Sequence, residues 1–236
     1  YQDLPSYFLA DTDGPDYEAA YIAQENFINN GQINWNRIYD ANLTNNQANL
    51  NAAYVLYEDR VDDTQLTFNS AYNREINENI KVTASANYRN LVSDNFAEIS
   101  DMLGGYSYSN IDSFDYLDYN LLSPNSIVSE GDKFKYHYKM NAEEMSLFSM
   151  INFSFNKLEF YVAGDITNTT YQRDGIFENE ANAGNSAGKG DEISFDGYGI
   201  KAGITYKFSG KHILDFNSAY FCLLYTSDAA DDTCCV

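Results

Sequence analysis

The sequence predicts an all-β protein, an antiparallel sheet built to cross a membrane, on three observations. From about residue 65 onward, apolar and polar residues alternate with period two. The alternating runs are about ten residues or longer, the length of a tilted strand crossing a bilayer. The connections between them are alternately short and long, as in membrane barrels.

Composition agrees. The chain has 236 residues, of which 44% are hydrophobic, so it is not a disordered acidic segment. Tyr outnumbers Phe 21 to 15; its amphipathic ring suits surfaces that are neither dry nor fully wet. Mean hydropathy is -0.47, and no run of about 18 apolar residues offers a membrane helix. Strands that alternate never look hydrophobic on average, so this says nothing against a transmembrane sheet. The formal charge of -21 leaves no basic footprint for nucleic acid.

The elements follow in chain order. Asp13-Gly14-Pro15 precedes a helix over Asp16 to Ile28 that stops at Asn29-Asn30-Gly31. Ile33 to Asn42 fits a second helix, and residues 1–53 read as a structured extracellular loop between two strands. A strand enters around Ala52 to Arg60 and continues through a bulge or kink into 65–73, where Leu66, Phe68 and Tyr72 oppose Thr67, Asn69 and Asn73. The next sets Val82, Ala84, Ala86 and Tyr88 against Lys81, Thr83, Ser85, Asn87 and Arg89. The third sets Met145, Leu147, Ile151, Phe153 and Phe155 against Ser146, Asn152 and Ser154, with Phe148 and Met150 interrupting the polar side. The fourth has Leu158, Phe160, Val162 and Ile166 against Glu159, Asp165 and Thr167. The fifth has Tyr198, Ile200, Ala202, Ile204, Tyr206 and Phe208 against Lys201, Thr205 and Lys207. The sixth, Leu214 to Tyr220, alternates with Asp215 and Asn217.

Short turns fall at Glu75 to Asn79, Asn156-Lys157 and Ser209-Gly210-Lys211, and long polar segments at 91–132 and 173–194. Aromatics gather near strand ends, at Tyr72, Tyr88, Phe153, Phe155, Tyr206, Phe208 and Tyr220, as interfacial girdles would. An ordinary soluble sandwich also alternates and remains the alternative.

Motifs for chemistry are weak. GNSAGKG (184–190) has three residues where a phosphate-binding loop has four, ends in Gly where Ser or Thr is required, and lies between strands. DTDGPD (11–16) lacks the sixth-position Gly and twelfth-position Glu of a calcium loop and reads better as a helix-capping turn. Asp112, Asp115 and Asp118 fit a solvated loop better than a cation site. His137 and His212 lie on different strands, without cysteines at zinc spacing. No cofactor, metal or catalytic set is implied, and the chain is not expected to be an enzyme.

All three cysteines, Cys222, Cys234 and Cys235, fall after Phe221, where the alternation stops. The run CLLYTSDAAD (222–231) resembles a translated transposase-type sequencing adaptor, and DTCCV fits an index running into the next adaptor segment. Residues 222–236 are therefore expected to be non-native, and the start at Tyr1, without Met or signal peptide, suits a piece of a longer protein.

Six segments carry a family resemblance: LPSYFL (4–9), QINWNRIYDAN (32–42), YEDR (57–60), GDKFKYHY (131–138), NTTYQRDG (168–175) and YGIKAGITYKFSGKH (198–212). In this order they resemble the barrel of TonB-dependent outer-membrane receptors, in the branch with an N-terminal carboxypeptidase-regulatory-like domain. The resemblance spans nearly all of residues 1–221. It implies a Gram-negative outer-membrane protein whose full barrel has about 22 strands around a plug. This chain would supply an open, curved sheet of about six or seven strands with long, partly helical extracellular loops. The plug and the TonB-contacting box lie outside it, so the family's energy-coupling residues map to no position here. Implied partners are outer-membrane lipid, the TonB complex, a scarce small ligand (siderophore, glycan, peptide or metal chelate) and a surface lipoprotein; the ligand is not legible.

On this reading the lumen-facing candidates are Thr67, Asn69, Thr83, Ser85, Asn87, Arg89, Asn152, Glu159, Asp165, Lys201 and Thr205. For any one of them, hydrating the wall or contacting the plug is the plainer role. The loop aromatics Trp35, Tyr106, Tyr108, Tyr116 and Tyr119 are candidates to stack on a ligand, with packing inside the loops as the plainer role. A plug-less porin or adhesin, and a soluble secreted glycan-binding β-protein, stand as alternatives.

Overall fold

The computed structural model describes residues 4–10, 14–29 and 31–225. It divides into two units: Tyr1–Val55 with Met102–Ser107, and Leu56–Asp101 with Tyr108–Val236. No described helix is long and apolar enough to cross a membrane.

The first unit holds α1 (Pro5–Leu9), α2 (Tyr17–Asn29) and α3 (Trp35–Gln47). The two expected helices form, and α1 is an addition; its five residues are too few for a 3.6-residue period to show. The Asp16 carboxylate accepts the Ala19 amide at 2.9 Å, so the described part of DTDGPD caps a helix. Residues 11–13 of that motif lie outside the described residues, as does Asn30. Asn34 caps α3 in the same way. Asn42, fully buried on α3, holds the unit together. Its Nδ2 lies within 3.1 Å of the carbonyls of Tyr54, Met102 and Leu103, and its Oδ1 accepts the amides of Ala53 and Tyr54.

The second unit is an antiparallel meander. Its long strands are β1 (Leu56–Asn77), β2 (Ile80–Asp101), β5 (Lys133–Phe155), β6 (Leu158–Gly175), β8 (Ile193–Ser209) and β9 (His212–Tyr225), and each pairs with the next. Short β7 (Gly188–Lys189) adds to β6, and β3 (Tyr108–Ser109) pairs with β4 (Ile127–Val128). The sheet is open: among the described residues β1 and β9 each have one strand neighbour. At one end the links are two-residue turns, Glu78–Asn79, Asn156–Lys157 and Gly210–Lys211. Asn156 takes a positive φ of 37°, which a tight hairpin needs and Asn tolerates.

The strands run further than alternation alone suggests. β1 is one continuous strand, with register shifts only near its ends rather than a kink near residue 60. β2 continues to Asp101, shortening the long connection to 102–132. There Phe96, Ala97 and Ile99 are all buried, and Phe134 covers the same level of β5. Successive residues, which point to opposite faces, are buried at this level, so no polar face remains and the period disappears. β9 likewise passes Phe221, because β8 presents backbone partners out to Phe195. Residues 226–236, with Cys234 and Cys235, lie outside the described residues.

At the loop end the two long connections are clasped together. The buried Asp118 carboxylate accepts the amides of Asn120 (2.9 Å) and Asn125, while the Asp118 amide donates to Glu180 Oε2 at 2.7 Å. Leu121 N donates to the Glu178 carbonyl at 2.7 Å.

Candidate functional site

The register decides which side chains share a face. Reading across the strands gives the rows Thr67–Arg89–Glu144–Thr169, Asn69–Asn87–Ser146–Thr167, Ser85–Phe148–Asp165–Gly199 and Thr83–Met150–Ala163–Lys201. Asn152–Tyr161–Gly203–Asn217 and Ser154–Glu159–Thr205–Asp215 follow toward the turns. Every polar candidate from Thr67 to Thr205 therefore lies on one face.

That face is laced with cross-strand bonds. Thr83 donates to Asn73 (2.8 Å), Asn87 to Ser146 (3.2 Å) and Thr205 to Asp215 (2.7 Å). Arg89 lies 3.9 Å from Glu144, Lys201 3.9 Å from Asp165, and Lys207 contacts Glu159. Apolar groups interrupt it: Ala163 is buried, and the Tyr161 ring lies across Gly203 to donate to Asn217 at 3.0 Å. A Cβ on Gly203 would strike that ring, so glycine there makes room for a side chain lying flat.

The opposite face is apolar and uncovered. Its rows include Phe68–Tyr88–Met145, Ala86–Leu147–Ile166–Tyr198, Val82–Ile151–Val162–Ala202 and Phe155–Leu158–Tyr206–Leu214. Phe68 is 64% exposed, Met145 55% and Ile200 56%. Near the turns the rings form a belt: Phe153 stacks on Phe160 at 4.5 Å, and Tyr206 meets Phe208 edge-on at 4.6 Å. On β5 the apolar set runs from Met145 to Phe155. At about 3.3 Å per residue this is about 33 Å of strand, and a tilt of about 40° projects it to about 25 Å, the height of a barrel's lipid band. Beyond it the same face turns polar, at Asn90, Glu143 and Thr170.

The loop aromatics divide. Tyr106 and Tyr116 are each 81% exposed, and Trp35 is exposed at the start of α3. Tyr108 instead packs edge-on against Phe134 at 5.9 Å. Tyr119 donates to Asp112 at 2.9 Å; burial first, then that carboxylate, holds its phenol protonated well above the usual range. Asp112 is held below the usual carboxylate range by the amides of Phe114 and Asp115 and by Tyr119. Asp112 and Asp118 thus spend their oxygens organising a loop, and no metal-binding cluster occurs among the described residues. Within 184–190, Gly188–Lys189 pairs with β6 and no helix follows, so no phosphate-binding loop forms.

One group was missed from sequence. Where Phe96 pairs with His137 and Ala97 with Phe134, β5 carries two extra residues, Lys135 and Tyr136. This bulge brings them beside Tyr57, Asp59 and Tyr138 at the loop end of the polar face. The alternating aromatics and lysines of GDKFKYHY were its only sequence trace.

No family model, curated protein or solved structure matches this chain.

Proposed function

We propose that the sheet is part of an outer-membrane β-barrel wall, apolar face to lipid and polar face to the lumen, in a TonB-dependent receptor that imports a scarce ligand. The observation that carries this reading is the inverted burial. On β1, β5, β6, β8 and β9 large apolar side chains of this face are exposed, and those of β2 between them are half-buried rather than packed into a core, within a band about as tall as a bilayer's hydrocarbon. In water such a face would be an aggregation surface; in lipid it is the ordinary exterior. The turn-end rings suit the periplasmic interface, and the long clasped loops suit the outside. Strand edges do not survive unpaired in lipid, so the reading requires further strands beside β1 and β9.

The receptor class rests on the ordered resemblance of the six segments from 4–9 to 198–212. It makes the TonB complex a partner through regions outside this chain, with outer-membrane lipid around the wall and a surface lipoprotein as a candidate lid. The test is to express the complete reading frame and fractionate the cells. Extraction only by detergent, with a mobility shift on heating, supports the barrel; a plug domain in the same frame separates receptor from porin or adhesin. Release into buffer without detergent would contradict the barrel and favour a soluble secreted glycan-binding protein.

A further inference from the structure

Beyond the lipid-height band, the side of the sheet that is apolar lower down ends in a charged group built around one histidine. The register sets Asp94 opposite Lys139, Phe96 opposite His137 and Glu98 opposite Lys133, all on this side. His137 Nε2 lies 2.8 Å from Asp94 Oδ1 and 3.2 Å from Lys133 Nζ, and Lys133 reaches Asp94 Oδ2 at 3.1 Å. The His137 side chain is 13% exposed. Its ring stands edge-on to two phenyl rings, Phe96 at 5.7 Å and Phe177 at 5.5 Å.

One nitrogen thus faces an ammonium, which can only donate, and a carboxylate, which can only accept. With its lone pair free, Nε2 accepts from Lys133. An imidazolium has no lone pair to offer: it turns a proton on Asp94 and sets its own charge beside the ammonium. Lys133 is held in place, 3.6 Å over the Phe96 ring and on the second Asp94 oxygen. The imidazole ring is therefore the group that gives way, and a cationic ring is costly to keep among phenyl rings.

The other charges nearby do not offset this. On β5, Lys139 adds a further cation. Asp174 of β6 and Lys189 of β7 continue the Lys139 row. On β1, Arg60 lies 5.2 Å over the Phe96 ring and is bonded to Asp62 and Glu98. From the connection after β6 the ring meets Phe177, which is uncharged, and the Glu178 carboxylate beside it accepts the Gly184 amide. Among the described residues Asp94 is the carboxylate bonded to His137, and it is already shared with Lys133.

The ring stands at the root of the clasp. The His137 carbonyl accepts the amides of Ile176 (2.9 Å) and Phe177 (3.1 Å), where the 176–192 connection begins. The next residues tie that connection to the first one, through Leu121 to Glu178 and through Asp118 to Glu180.

We propose that protonation of His137 releases the 176–192 connection from the end of the sheet and opens the clasp between the two long loops. Burial first, then Lys133 and Lys139, hold the imidazole below its ordinary value of 6.5 against the pull of Asp94. The fold therefore favours the neutral ring. Its stabilisation is complete above that pH and is lost as pH falls through the lower folded value. The device works the same whether the face below meets lipid or water.

The test is amide exchange on the full-length protein between about pH 7.5 and 5, each rate divided by its intrinsic rate at that pH. Protection at Ile176 and Phe177 falls about threefold or more as pH falls, and Leu121 and Glu180 follow, while Lys207 at the turn end stays constant. His137→Gln, which cannot take the proton, holds protection level across the window. Lys133→Met keeps a chain over Phe96 but removes the competing cation, so the fall shrinks. Protection independent of pH in the unsubstituted protein, or a fall that His137→Gln keeps in full, overturns the proposal. Should His137→Gln fail to fold, an undiminished fall in Lys133→Met overturns it alone.

Discussion

The lower and upper parts of the same strands obey opposite rules. Between the turns and the Phe68–Tyr88–Met145 row, large apolar side chains such as Phe68, Met145, Leu147, Ile166 and Ile200 stay exposed, while those of β2 are half-buried. A few residues further along β2, Phe96 and Ile99 are 2% and 0% exposed, with the Lys133 ammonium 3.6 Å over the Phe96 ring and the His137 ring edge-on to it at 5.7 Å. The upper part is built as a protein is built for water, with apolar groups inside and buried polar groups satisfied. The lower part, on the reading proposed above, suits a solvent as apolar as its own surface. One backbone ladder carries both, and side-chain pattern alone marks where the surroundings change.

Ways to break that contrast range from large to small. Ile99→Ala opens a cavity in the upper core and costs about 2–5 kcal/mol in equilibrium unfolding, while Leu147→Ala in the band costs much less because lipid follows the surface. Leu147→Arg costs about 2–4 kcal/mol of stability in lipid vesicles, and the adjacent Ser146→Arg, on the polar face, stays close to wild type. An equal penalty at both positions would remove the distinction between the faces.

Gly203→Val drives a side chain into the Tyr161 ring and costs about 1–3 kcal/mol; adding Tyr161→Ala recovers part of it, a coupling readable in a double-mutant cycle. The smallest effect is in the Asp112 loop. Its carboxylate is held below its ordinary value of 3.8, so the stabilisation is present above that pH and lost as pH falls through the lower folded value. Amide exchange at Phe114 and Asp115 accelerates there, and Asp112→Asn removes the pH dependence.

Legibility followed the same boundary. Where one face is apolar and exposed and the other polar, period two identified the strands and put Thr67, Arg89, Asp165 and Lys201 on a common face before any register was known. Above the band it failed, because Phe96, Ala97 and Ile99 are buried regardless of face. The polar anchors were equally hidden: Asn42 and Asn110 look like loop asparagines until partners dozens of residues away are in place. The Lys135 bulge appears only in the pairing of β2 with β5, which no local pattern encodes.

The most direct test of the central claim is a scan of β5. With the native cysteines replaced by serine, single cysteines from 145 to 152 are labelled with a fluorophore in vesicles containing a lipid-attached quencher. The account predicts strong quenching at 145, 147, 149 and 151 and weak quenching at 146, 148, 150 and 152. Quenching without period two, or none at any position, would contradict a sheet whose apolar face meets lipid.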